Sequence, residues 1–259
     1  MPFETATLPR DPMNMDAIPV WSRTIGSWRF SIGRRPFKAD ELAHHYDKAS
    51  ASWQSTINRL GFEAAYTGLV DRALPKIADA NRSTPLRVLD AGIGSGALAA
   101  AFAGRCQTPM DLTGVDVSSE MLRQANRHLS KRQISARLIL GDVNNLPFAD
   151  DTFDVILVAH VLEHMTRPEI TLSELFRVLK PGGMLVACVT QLSSAGAYIH
   201  LKWRTHCVDT KTAVGWFQDC GFASVQTVPL QESPTARRFS CGYVVTKPGL
   251  RQALSQLQD

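Results

Sequence analysis

Leu86–Gly96 reads LRVLDAGIGSG, an apolar run that ends in an acid and three glycines at alternate positions. The run is short and rich in branched residues, so it reads as a buried strand. The glycines that follow let the chain turn tightly and let a ligand approach the backbone without Cβ atoms in the way. In open α/β sheets such ligands sit at the carboxyl ends of the strands. The loop alone is ambiguous. Gly92, Gly94 and Ala97 also satisfy a dinucleotide fingerprint, and Asp116 lies about 20 residues on, where a ribose-binding acid is expected. Against a nicotinamide site stands Asp90, a carboxylate directly before the loop where a dinucleotide strand is usually apolar.

Working outward, strand and helix patterns alternate. DLTGVDV, ARLILGD, FDVILVAH and MLVACVT read as strands, and the segments starting at Gly96, Ser119, Ile170 and Thr212 as helices. Lys180-Pro181-Gly182-Gly183 reads as a turn. ASVQTVPL and FSCGYVVT follow one another with no helical pattern between them, so they can pair only as an antiparallel hairpin with a long connection. The expectation is an α/β fold: a seven-stranded Rossmann-like sheet, mostly parallel with the last strand antiparallel, and helices on both faces. There is no second mononucleotide-binding half, which also argues against a nicotinamide enzyme. Residues 86–248 form the ligand-binding domain in this reading, and 249–259 a tail. Residues 40–85 carry helical spacing, with a break at Gly61, and read as a lid. Residues 1–39 read as an arm without sustained period. Within the arm, Arg23, Arg29, Arg34, Arg35 and Lys38 interleave with Trp21, Trp28, Phe30 and Phe37, which suits either packing on the domain or peripheral contact with a membrane surface.

The chain has 259 residues and a net charge of +4, too mild an excess to argue for nucleic acid. Five cysteines lie scattered with no CxxC pair, so reduced thiols and a cytoplasmic setting are expected, without a zinc site. MPFETATLPR lacks the basic and apolar regions of a signal peptide, and no apolar run approaches the roughly 18–20 residues of a membrane span.

VLDAGIGSG, GVDVSSEML, GDVNNLPFADDTFDVILVAHVLEHM and LFRVLKPGGMLV, in that order, resemble the motifs of class I S-adenosylmethionine (SAM)-dependent methyltransferases. The nearest group is the small-molecule branch that includes ubiquinone and menaquinone biosynthesis methyltransferases. The resemblance implies SAM as methyl donor. Asp90, Gly92 and Gly94 would surround its methionine part, the Asp90 carboxylate holding the ammonium group, while Gly96 permits close helix packing. Asp116 would accept from the ribose hydroxyls, Val117 and Met121 would flank the adenine, and Asp142 with the Val143 NH would read its edge. Ala159 and His160 would lie beside the reactive sulfonium. HHYDKASASW resembles an entrance helix of the same family, with Tyr46 over the methionine end.

The acceptor side is less defined. Methyl transfer is an in-line displacement, so alignment and desolvation can carry much of it without a base. His160 and His164 are candidate bases, though His164 also suits a purely structural role at the strand end. Glu163 and His164 are too few to close a metal site, and none is expected. Tyr198, His200, Trp203 and Arg204, after the fifth strand of the sheet, would suit a flat or anionic small-molecule acceptor. Two alternatives stand beside this reading: a membrane-associated quinone or lipid methyltransferase, and a non-catalytic SAM-binding protein.

Overall fold

The computed structural model describes residues 18–25, 27–34, 59–77, 84–165, 167–191 and 208–249. The chain divides into two compact units, residues 1–36 and 37–259. In the first, β1 (Ile18–Ile25) and β2 (Trp28–Arg34) pair as an antiparallel hairpin. The sequence reading gave an arm without regular structure here. The two runs are rich in β-branched and aromatic residues, which suit a pleated ribbon, and the dense arginines hide that pattern.

The second unit holds α1 (Phe62–Ile77), β3 (Leu86–Ala91), α2 (Ala97–Arg105), β4 (Met110–Asp116), α3 (Ser119–Lys131), β5 (Arg137–Leu140), β6 (Phe153–Ala159), α4 (Pro168–Val178), β7 (Leu179–Thr190), α5 (Thr210–Asp219), β8 (Ala223–Pro229), a single turn α6 (Ala236–Phe239) and β9 (Ser240–Thr246). The strands form one seven-stranded sheet in the order β5-β4-β3-β6-β7-β9-β8. The pairs β3–β4, β3–β6, β4–β5 and β6–β7 are parallel, and β9 runs antiparallel to both its neighbours. The expected sheet and its closing hairpin are therefore present, with β9 inserted between β7 and β8.

Alternation along the strands sorts the core into two layers. Val88, Val155, Leu157 and Val186 face Leu69, Phe102 and Leu129. Leu89, Ile156, Val158 and Leu185 face Leu172, Leu175 and Phe217 on the opposite side. Both faces are covered, so these strands read as continuous apolar runs. Burial of each large aliphatic side chain stabilises the fold by about 1.5–3 kcal/mol.

Two local features refine the expected boundaries. Gly61 sits at φ 71°, a left-handed turn that starts α1. β7 begins at Leu179, five residues before the expected start, because Lys180–Gly183 is absorbed as an irregularity between the Phe153–Leu179 and Val155–Met184 pairs. The order of the sheet reverses at β3, with β4 on one side and β6 on the other. The crevice beyond the ends of β3 and β6 is thus the switch point at which such sheets bind ligands.

Candidate active site

Tyr66, Asp90, Gly92, Ile93, Gly94, Ser95, Ala97, Leu98, Ala159 and His160 line one cavity at that switch point. The glycine loop is shaped by backbone bonds. The NH groups of Gly92 and Ile93 both donate to the Val115 carbonyl, at 2.8 and 3.0 Å. Gly92, Gly94 and Gly96 all have positive φ, at 71°, 53° and 78°. Their surroundings differ. A Cβ on Gly92 would lie 2.4 Å from Val161 Cγ2, and one on Gly96 would rest against Leu129 and Ala125 of α3. Among the described residues a Cβ on Gly94 would meet nothing within 4 Å, which leaves that stretch of backbone room for a ligand.

Asp90 ends the apolar strand and is 1% exposed. Among the described residues its Oδ2 is buried without a hydrogen-bond partner. Burial, with Asp116 adding to it, pushes its pKa up to about 8. Asp116, at the end of β4, ties the two strand ends together. One carboxylate oxygen accepts from the Gly94 NH at 2.8 Å and the other from the Ser118 NH at 2.9 Å. Ser118 in turn caps α3, its hydroxyl accepting from the Met121 NH at 3.1 Å. Met121 and Val143 are buried and Val117 half-buried. Asp142 makes a turn: its Oδ1 accepts from both the backbone NH and the side-chain amide of Asn144, each at 2.9 Å.

The end of β6 carries a second polar group. His160 has a left-handed φ of 56°, while its NH continues the ladder by donating to the Cys188 carbonyl at 2.8 Å. This turn delivers the chain into a single 3-10 turn, Leu162–His164. His160 Nδ1 lies 2.9 Å from Glu163 Oε1, and Nε2 lies 3.7 Å from Cys188 Sγ. Glu163 Oε1 also accepts from the Thr190 NH at 3.0 Å and the Thr190 hydroxyl at 2.6 Å. Burial alone would lower the His160 pKa, but Cys188 and Glu163 outweigh it and hold it up at about 10. Burial opposes ionisation of Glu163, yet His160, His164 and Thr190 pull its pKa down to about 2. The Glu163 carboxylate thus sits where it accepts from a protonated Nδ1 of His160.

His164 is buried, with its NH donating to the Val161 carbonyl inside the 3-10 turn. His160 and His164 therefore stand on different backbone geometries and do not share a helix face. Tyr46, Tyr198, His200, Trp203 and Arg204 lie outside the described residues. Among the described residues no group of three or more His, Cys, Asp or Glu is placed to hold a metal ion.

Four neighbours of the site were not legible as such. Phe62 packs edge-on against the His160 ring at 5.0 Å, and Tyr66 lies 6.4 Å from it. Burial, then Cys188, Glu163 and Asp90, push the Tyr66 hydroxyl pKa well up. Phe62 and Tyr66 stand four apart after Gly61, a signal of one shared helix face. Cys188 and Thr190 gave no signal, since both sit in a wholly apolar strand pattern.

Comparison with known proteins finds similarity over the stretch of chain that holds this site. Residues 89–187 match the methyltransferase domain family. A ubiquinone/menaquinone biosynthesis C-methyltransferase of Paraburkholderia xenovorans is 37% identical over 110 residues, 42% of this chain and 45% of that protein. A demethylmenaquinone methyltransferase of Renibacterium salmoninarum is 32% identical over 159 residues, 61% of each chain. The chain thus spans between about half and three fifths of the length of these relatives. Two solved structures share the fold. A [4+2]-cyclase superposes with TM-score 0.61 at 17% identity, covering 83% of this chain and 98% of that one. A phosphoethanolamine N-methyltransferase of Haemonchus contortus superposes with TM-score 0.60 at 15% identity, covering 85% and 63%. The chain resembles the class I SAM-dependent methyltransferases in motif order and in fold.

Proposed function

We propose, for a chain whose residues 89–187 match a methyltransferase domain, that it transfers a methyl group from SAM to a small-molecule acceptor, a hydroxylated ring of the quinone-precursor kind, with S-adenosylhomocysteine (SAH) as the other product. The observation that carries this reading is the buried Asp90 carboxylate, with one oxygen unpartnered, beside the open Gly94 backbone and the Asp116 carboxylate. A buried carboxylate oxygen without a hydrogen bond is costly, and a ligand ammonium offsets that cost. The residues therefore fit an amino-acid cofactor carrying a nucleoside.

In this reading Asp90 holds the ammonium, and Gly92 and Gly94 let the methionine chain approach. Asp116 accepts from the ribose hydroxyls, since an ionised carboxylate can take about four hydrogen bonds. Val117 and Met121 flank the adenine, and Asp142 and the Val143 NH read its edge. The Asp142–Asn144 turn fixes that carboxylate in place. SAM supplies, when bound, an electrophilic methyl on a sulfonium. The chain's own contribution is alignment and dryness: Ala159 and His160 border the reacting end, and Phe62 and Tyr66 close it from α1 with apolar surface. Alignment of this kind is worth several kcal/mol of barrier. The name of the Paraburkholderia relative, a C-methyltransferase, favours carbon as the atom methylated.

Calorimetry with SAH and with NADH tests the cofactor. SAH binding with no NADH binding is expected, and a folded protein that ignores SAH sinks the proposal. Transfer of labelled methyl from SAM to hydroxylated naphthoquinols, resolved by mass spectrometry into ring and oxygen products, tests the acceptor.

A further inference from the structure

Gly92, Gly94 and Gly96 all hold left-handed φ values, yet glycine populates φ of either sign about as readily. Sterics alone therefore do not choose the form of this loop, and its hydrogen bonds must. The Gly94 NH donates to Asp116 Oδ2 at 2.8 Å. Further on, both groups of the Ser95–Gly96 peptide unit are held. Its NH donates back to the Ile93 carbonyl at 2.8 Å, and its carbonyl oxygen, that of Ser95, lies 2.9 Å from His128 Nδ1. A carbonyl oxygen can only accept, so Nδ1 is the donor whether the ring is neutral or charged. His128 stands in the last turn of α3, and that helix runs close beneath the loop: a Cβ on Gly96 would be 3.5 Å from the Ala125 Cα. Between the two held points lies the Gly94–Ser95 unit, on the wall of the cavity that also holds Asp90.

We infer that His128 is a positioning residue for the cofactor: it locks the Ser95–Gly96 peptide and so fixes the Gly94–Ser95 backbone in the form that receives the methionine part of SAM. This rests on the cofactor reading above. The ring lines a separate groove between α1, α2 and α3, with Glu63, Ala97 and Arg132, so it acts on the ligand through the backbone. Without the His128 donor, the Ser95–Gly96 unit keeps one of its two bonds and rotates among forms that glycine tolerates. Only one of those forms fits the ligand. The apparent affinity then falls in proportion to the fraction of molecules that hold it. α3 thus serves the loop twice. The Asp116–Ser118 turn at its start holds the Gly94 NH, and His128 in its last turn holds the Ser95 carbonyl.

Two measurements on the full chain test this. The first compares SAH binding to the unaltered chain, His128→Leu and His128→Asn, at a temperature well below each melt. Asparagine keeps an N–H donor at the same number of bonds from Cβ as Nδ1, and leucine keeps bulk without a donor. His128→Leu should bind SAH roughly tenfold more weakly, the loss expected if about one loop in ten keeps the bound form. The loss should fall on the association rate and leave the dissociation rate unchanged, because the bound loop is the same. His128→Asn should stay within about twofold of the unaltered chain. A ring that only fills space would lower the melting temperature of both variants and leave the affinity of folded molecules unchanged. Equal affinity in all three proteins, or equal losses in both variants, overturns the inference. The second measurement follows the ring nitrogens of 15N-histidine-labelled protein at about pH 9, above the ordinary imidazole range. His128, assigned by the signal lost in His128→Asn, should carry its single proton on Nδ1. A proton on Nε2 instead overturns the inference, even where His128→Leu fails to fold. Failure of the unaltered chain to bind SAH overturns the cofactor reading itself, whereas SAH binding that His128→Leu leaves intact overturns only the role of His128.

Discussion

Asp90 is a residue whose folded environment and proposed ligand pull in opposite directions. Burial raises its pKa to about 8, so proton uptake favours the folded state without ligand. That stabilising contribution is complete below the ordinary carboxylate range and is lost as pH rises through about 8. Urea denaturation of the ligand-free chain should therefore show falling stability from about pH 5 to about pH 9, and Asp90→Asn should flatten the slope. Ligand binding has the reverse dependence, because an ammonium needs the ionised form. SAH affinity should weaken about tenfold per pH unit below about 8, and calorimetry should detect proton release on binding. The loop glycines separate the same two roles. Gly92→Ala combines positive φ with a 2.4 Å approach to Val161 and should cost about 2–4 kcal/mol of stability. Gly94→Ala has room for its methyl and should cost only about 1 kcal/mol, while weakening SAH binding more than Gly92→Ala lowers it in molecules that remain folded. Thermal melts paired with SAH titrations check this ordering.

The elements that carry these residues differ in how plainly the sequence announces them. β3, α3 and β6 follow from apolar and helical patterns, so Asp90, Asp116 and His160 could be put at strand ends, with their roles taken from the family resemblance. The Glu163–Thr190 contact could not, because it joins residues 27 apart through the register of β6 against β7. Register across a parallel pair is set by packing over both faces and leaves little local trace. The same holds for Lys247, which follows β9. Its Nζ donates to the Phe176 and Leu179 carbonyls at 2.9 and 2.8 Å, pairs with Asp151 at 2.7 Å, and lies 4.6 Å over the Phe176 ring. A cation there satisfies carbonyls at the C-terminal end of α4 and favours its dipole. Lys247→Met keeps the side-chain volume and removes the donors, so it should cost about 1.5–3 kcal/mol in chemical denaturation while leaving SAH affinity unchanged.

At the scale of the whole molecule, the chain divides at residues 36 and 37 into a unit that holds the hairpin and a unit that holds the described residues of the site. Each described cavity residue lies in the second unit, on α1, the β3 loop, α2 or the β6 end. A chain beginning at Phe37 should therefore melt cooperatively and bind SAH within about twofold of the full chain, a difference of about 0.4 kcal/mol. The hairpin has its own chemistry. Trp28 is 72% exposed, and the surrounding sequence holds Arg23, Arg29, Arg34, Arg35 and Lys38 with no acid between Val20 and Ala39. Aromatic and basic side chains together favour an anionic interface, each charge adding about 1 kcal/mol close to such a surface. Among the described residues no helix is long and apolar enough to cross a membrane. Sedimentation with phosphatidylserine-containing vesicles at low salt should pellet the full chain and not the chain beginning at Phe37, with binding lost as salt is raised. Equal sedimentation of the two chains would remove the surface role of the hairpin and leave the active-site assignments as they stand, since none of the described site residues belongs to that unit.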